Sequence, residues 1–143
     1  MPDCNRAVFQ TILLDVLPRL VELLNTNIMR HSDVRYHAVQ ALQNISLYDG
    51  DFRVAIANEP HCIERVVTCL KYAAGERRRR GFDPDAETVG AALEFLRVMA
   101  DDTTHTEAVL RFEAELIELA TTKTAQDVSE RIAVLLDGFH SAA

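Results

Sequence analysis

The chain has 143 residues and a mass of 16.0 kDa, which is the size of one domain. Hydrophobic residues make up 48% and charged residues 26%, a balance that excludes a disordered chain. The formal charge is −7, and without the four arginines at Arg77 to Arg80 the remainder stands at −11, which excludes a phosphate-tracking basic stripe and hence direct nucleic-acid binding by this domain.

Only five glycines and four prolines interrupt the chain, while leucine, alanine, valine and isoleucine recur at helical spacing. An all-α domain is expected. At this length about two-thirds of the unfolded surface can be buried, enough for a core without disulfide staples. No apolar run approaches the roughly 20 residues that cross a bilayer, and the first twelve residues hold Asp3, Asn5, Arg6 and Gln10, unlike a signal peptide. The three cysteines, Cys4, Cys62 and Cys69, are odd in number and read as free thiols of a reducing, intracellular compartment.

The first helical segment is Leu17-Pro-Arg-Leu-Val-Glu-Leu-Leu24. Apolar residues at 34, 38, 41, 42 and 45 then mark the buried face of a helix capped by Ser32 or Asp33. An acidic turn, Asp49-Gly-Asp51, leads to a brief helix with Val54 and Ile56. Pro60 suits the first turn of a longer helix through Ile63, Val66, Val67 and Leu70. Gly75-Glu-Arg-Arg-Arg-Arg-Gly81 and Phe82-Asp-Pro-Asp85 read as a flexible polar insertion over 75–85. The stripe returns at Val89, Ala92, Leu93, Leu96 and Ala100, and again at Val128, Ile132, Leu135, Leu136 and Phe139. Between these two, Thr104 and Glu107 have capping-box spacing, and Leu110, Leu116, Ile117 and Leu119 carry a helical segment to Lys123. Thr124 would cap the last helix, with Asp127 three residues on.

These elements repeat. A shift of 54 pairs Ala38 with Ala92, Leu42 with Leu96, Ile45 with Met99, Ile56 with Leu110, Glu59 with Glu113 and Ile63 with Ile117. A shift of 46 pairs Leu17–Leu24 with Ile63–Leu70, the difference of eight falling in the 75–85 insertion. Units of about 46 residues lie in the range of armadillo and HEAT repeats. The expected architecture is a single domain over residues 1–143, an armadillo/HEAT-like right-handed solenoid of about two and a half to three repeats. Each pair of helices leaves an apolar face that only its neighbour covers, and Asp15, Glu22, Glu130 and Arg131 would give the two ends polar faces.

Little chemistry is visible. His61, Cys62 and Cys69 form C-x6-C with an adjacent histidine, which matches no common zinc pattern, and both cysteines sit on a core-type helix. On one helix, residues seven apart lie about two turns, roughly 10 Å, from each other, too far for a disulfide. His31 and His37 converge poorly across a helix start. Asp49 could start a calcium loop, but Val54 and Pro60 stand at its sixth and twelfth positions, which favours a turn and cap. There is neither a G-x-S-x-G elbow nor a glycine-rich phosphate loop, and Asp101-Asp102 is more simply a cap. The expectation is a non-enzyme with no cofactor, metal, membrane or small-molecule partner.

Two features remain as candidate partner-binding residues. The run Arg77, Arg78, Arg79, Arg80 reads as a nuclear-import signal, a clamp on an acidic partner, a phosphate contact, or a solvated mobile loop balanced by Glu76, Asp83 and Asp85. A mobile loop would tolerate serine at all four positions without loss of thermal stability. Asn44 sits where peptide-reading armadillo repeats carry an asparagine on the third helix. Its equivalent 54 residues later is Val98, and Gln40 and Glu94 stand where importin-type repeats often have tryptophan. That ladder is incomplete, which favours docking of folded partners.

Val34 to Ser46, then Phe52 to Leu70, the polar insertion, and Thr88 to Phe139 together give the chain a narrower likeness. It resembles the C-terminal armadillo-like region of Osa/eyelid-type large subunits of SWI/SNF chromatin remodellers, the AT-rich interaction domain family. In that family an alanine- and leucine-rich helix is likewise followed by a short and a longer helix, a polar insertion, a second such unit and a closing helix. The resemblance implies a nuclear, non-catalytic scaffold in the remodeller's base module, holding core subunits and a helical segment of the ATPase. The DNA-binding domain of such a subunit would lie outside these residues. The alternative is a stand-alone armadillo-like adaptor that binds a linear peptide or helix from a transport or signalling partner.

Overall fold

Alanine, leucine, glutamate and arginine dominate the segments between breakers, and each such segment is helical. The computed structural model describes residues 2–24, 32–48, 50–80, 85–101, 105–121 and 126–141, and all regular structure among them is α-helical. Eight helices follow one another among these residues: α1 (Pro2–Leu23), α2 (Ser32–Tyr48), α3 (Gly50–Asn58), α4 (Cys62–Arg80), α5 (Asp85–Asp101), α6 (Thr106–Leu110), α7 (Glu113–Thr121) and α8 (Gln126–Ser141).

Helix α5 is the hub. It packs on α2 and α4 and, less extensively, on α8 and α6. Helix α7 packs on α8, α1 on α2 and α3, and α3 on both α2 and α4. So α5 packs against both α2 and α8, and α4 and α7 each pack against the long helix that comes after them in the chain.

The apolar stripes supply the core. Ala38, Val39 and Leu42 of α2 are buried, as are Ile63, Val66, Val67 and Leu70 of α4. Val89, Ala92, Leu93, Leu96 and Ala100 of α5 join Ile132 and Leu135 of α8. Each fully buried side chain of this size adds about 1.5–3 kcal/mol relative to exposure. Asp15, Glu22, Glu130 and Arg131 are all exposed; Glu22 lies 3.8 Å from Arg65 of α4, and Arg131 is turned toward Gly90 of α5. Val34, Val54 and Ile117 are exposed instead of buried.

Four boundaries differ from the sequence expectation. Residues 75–80, read as the start of a flexible insertion, are the last turns of α4; 81–84 lie outside the described residues. Glu76 and Arg77 to Arg80 are all good helix formers, and cations at a helix C-terminus oppose the negative end of its dipole. Pro60 is not in the first turn of α4: it and His61 form a turn, and the helix begins at Cys62. Glu59 O accepts from Cys62 N–H at 3.3 Å, and His61 O from Arg65 N–H at 2.9 Å. The segment from Leu110 to Lys123 is not one helix but α6 and α7, divided at Arg111 and Phe112. Finally, His105 is the N-cap of α6 and makes no side-chain cap bond, while the neighbouring Thr106 hydroxyl donates to Ala100 O at 2.7 Å. Thr104 and Thr124, expected as caps, lie outside the described residues.

Helical Arg77 to Arg80 make a testable difference. Serine at all four positions removes helix propensity and the favourable charge at the C-terminus. The expected cost is about 1–2 kcal/mol, or roughly 3–6 °C in Tm, with a drop in helical circular dichroism. An unchanged melting curve and spectrum would return 75–80 to a loop.

Candidate interaction surfaces

Three surfaces are shaped by the local sequence. On α2, Asn44, Leu47 and Tyr48 are exposed and fall at i, i+3 and i+4, so they share one face. Tyr48 stacks on Phe52 at the start of α3, with ring centroids 5.1 Å apart and an angle of 23° between planes. Arg53 Nη1 donates to Ser46 O at 2.9 Å and so satisfies a carbonyl in the last turn of α2. Beside it, Arg53, Arg97, Val98 and Asp101 line an open cleft of about 270 Å³. Arg97 donates to both Glu94 and Asp101, the latter at 2.8 Å. That hydrogen bond to Arg97, with Arg131 adding its charge, holds the Glu94 carboxyl below the usual carboxylate range against an opposing effect of burial.

The second surface is a cleft of about 330 Å³ where the α3–α4 turn faces α6 and α7, lined in part by Glu59, His61, Glu64, Arg111 and Phe112. His61 has φ of 65°, the left-handed region that few side chains adopt without cost. Its Nδ1 lies 3.1 Å from Glu64 Oε2. Cys62, at the floor, is buried, and burial followed by the Glu59 charge pushes its thiol up to about 12. Burial thus favours the protonated thiol at neutral pH.

The third surface is an apolar groove of about 320 Å³ between α1 and α2, lined by Leu20, Leu23, Val34, His37 and Ala38.

Of the sequence candidates, Asn44 is thus exposed, and its repeat equivalent Val98 is half-buried. Arg77, Arg78, Arg79 and Arg80 belong to the helical backbone of α4, at its end, but their side chains lie outside the described residues. The two features are not brought together in any described cleft. His37 is exposed, and His31 lies outside the described residues. Cys62 and Cys69 are both buried thiols outside any disulfide, and the Cys69 Sγ lies 3.8 Å from Leu24 O. Among the described residues no group of three or more His, Cys, Asp and Glu is placed to hold a metal ion. No described helix is long and apolar enough to cross a membrane.

Two features are not legible in the sequence. Arg35 is buried on α2, with its guanidinium 4.6 Å from the centroid of the Tyr72 ring on α4. Nothing in Asp33-Val-Arg-Tyr36 separates it from an ordinary surface arginine. The α1–α2 groove is hidden as well, because Leu20, Leu23 and Val34 read as core on periodicity alone. No family model, curated protein or solved structure matches the chain.

The thiols give a direct check. Cys62 and Cys69 are expected to resist an alkylating reagent at pH 8 until denaturant is added, as read by mass spectrometry. The raised Cys62 value also has a sign: the unfolded thiol titrates near 8.5, the folded one at about 12. Its contribution is therefore complete below about pH 8 and is lost as the pH rises toward 12. Cys62→Ala should flatten that alkaline decline in urea titrations.

Proposed function

We propose that the chain is a non-catalytic, protein-docking domain of armadillo-like build. In this reading it serves as a scaffold within a SWI/SNF-type ATP-dependent chromatin-remodelling complex in the nucleus, holding core subunits and a helical segment of the ATPase. The repeat supports the architecture: α5 packs against both α2 and α8. The observation that carries the docking role is where the large apolar side chains lie. Leu47, Tyr48 and Val54 are exposed together at the α2–α3 corner, and Ile117 and Val134 are exposed on α7 and α8. Exposed apolar groups gathered on particular faces mark protein interaction sites. The remodeller assignment rests on the order of elements in the sequence and on that resemblance.

Asn44 favours a second reading, the peptide- or helix-binding adaptor. It is exposed beside Leu47 and Tyr48, at the position where such adaptors hold a peptide backbone.

Affinity purification of the full-length protein from nuclear extract, with crosslinking mass spectrometry, tests the first reading. Crosslinks from Lys71, which is half-exposed beside Glu115, to remodeller core subunits are the expected result. A transport or signalling partner in place of those subunits sinks the remodeller assignment. Asn44→Ala separates the two readings on whichever partner is captured. A scaffold tolerates it within about twofold, whereas a peptide groove loses about tenfold, close to the 1.4 kcal/mol of a strong hydrogen bond.

A further inference from the structure

The internal repeat allows each surface position to be compared with its own equivalent one unit along the chain. Applied to the α1–α2 groove, the comparison has one direction. Leu23 is 41% exposed, but its equivalent at a shift of 46, Cys69, is at 0%. Val34 is 37% exposed, but its equivalent at a shift of 54, Thr88, is also at 0%. Leu20 is half-buried where Val66 is fully buried, and His37 is exposed where Ala91 is buried.

The difference has a structural cause. The α4–α5 pair is covered on this side by the α1–α2 pair. Arg65 Nη1 of α4 donates to Val21 O of α1 at 2.9 Å, Cys69 sits under Leu24 O, and α2 packs along α5. The Tyr36 hydroxyl of α2 bonds the Glu87 carboxylate of α5, and partial burial together with that carboxylate raises the Tyr36 phenol above its usual range. The described residues place no further pair in front of α1–α2.

We infer that the groove between α1 and α2, lined by Leu20, Leu23, Val34 and His37, is a docking site for an amphipathic α-helix supplied by another polypeptide, lying on α2 as α2 lies on α5. The inference rests on the armadillo-like repeat of the proposed function, and it names the surface and the kind of partner. The repeat also specifies the face that the incoming helix presents. Gly90, Leu93, Glu94 and Arg97 are the α5 residues turned toward α8: the Gly90 Cα–H faces the Arg131 guanidinium, and the other three line a shared crevice with Arg131, Val134 and Leu135. One unit back these positions are Tyr36, Val39, Gln40 and Gln43 of α2. They are spaced i, i+3, i+4 and i+7, and none is charged. The groove itself is apolar with a single histidine. The partner is therefore a helix whose docking stripe combines an aromatic or aliphatic residue with uncharged amides; a basic or acidic stripe is excluded by the cost of burying unpaired charge.

The chain supplies its own probe, a peptide with the sequence of residues 32–48, stapled between positions 44 and 48 on its outward face. It is titrated into the isotope-labelled intact chain and followed by amide chemical shifts. Saturable shifts at Leu20, Leu23, Val34 and His37 are expected at peptide concentrations below about 1 mM, the scale of a 4 kcal/mol contact. Val34→Glu in the protein should weaken them at least tenfold with little change in Tm, because Val34 is 37% exposed and lies outside the buried core. Val39→Asp in the peptide should do the same and leaves the folded chain untouched. Shifts centred on α5, from displacement of α2, would overturn the inference, as would shifts that survive both changes or an absence of shifts. So would a dimer in sedimentation that Val34→Glu dissociates, since the groove would then belong to a second copy. Loss of this docking with crosslinks to remodeller subunits retained would remove only the groove assignment; the reverse pattern would remove only the remodeller.

Discussion

Helix α5 is apolar around most of its circumference, and the rest of the structure is arranged to keep water from it. Val89, Ala91, Ala92, Leu93, Phe95, Leu96, Met99 and Ala100 are all buried. Successive residues are turned by about 100°, so this set cannot be covered from one side. Four helices cover it between them: α2 and α4 most extensively, then α8 and α6. Each then needs cover only on the face left over. Helix α8 turns Arg131 toward α5, α4 meets α3 and, through Arg65 and Cys69, the end of α1, and α2 leaves the groove beside α1.

The same constraint explains what could be read from the sequence. Val89, Ala92, Leu93, Leu96 and Ala100 are legible as one helical stripe, and so are Val66, Val67 and Leu70. Phe95 and Met99 are buried on other sides of α5. Their burial depends on neighbours distant in the chain, which a local period does not encode. Ile63 and Ile117 are equivalent by sequence, yet the first is buried and the second exposed. Helix α4 packs on α5 and α3, whereas α7 packs on α8, and sequence similarity carries no information on how many neighbours cover a helix. The end of α4 departs from expectation for a different reason. Gly75 and Gly81 suggest a loop, but the strong helix formers between them outweigh one glycine penalty of about 1 kcal/mol.

The candidate surfaces are legible as residues but not as places. Asn44 stands out by its position in a repeat, and exposure beside Leu47 and Tyr48 gives it a setting. Cys62 and Cys69 read as buried from their helix, and they are. Along the solvent edge of α5, Glu94, Arg97 and Asp101 satisfy one another. With these charges paired and those thiols enclosed, the described faces offer shape and apolar area more than reactive groups.

Arg35 carries a further consequence, for fidelity of assembly. Its repeat equivalent, 54 residues on, is Val89, so two matching positions hold a buried arginine and a buried valine. The arginine is accommodated beneath Tyr72, a ring that α4 presents to α2. Chains built from similar units are prone to one unit seating itself where its sibling belongs. If α2 entered the place of α5, Arg35 would be carried away from that ring into surroundings fitted to a valine, at a cost of several kcal/mol for a displaced buried charge. Arg35 against Val89 thus joins Tyr36 against Gly90 and Gln40 against Glu94 among the positions that make the two helices unlike, and it is the one that carries a buried charge.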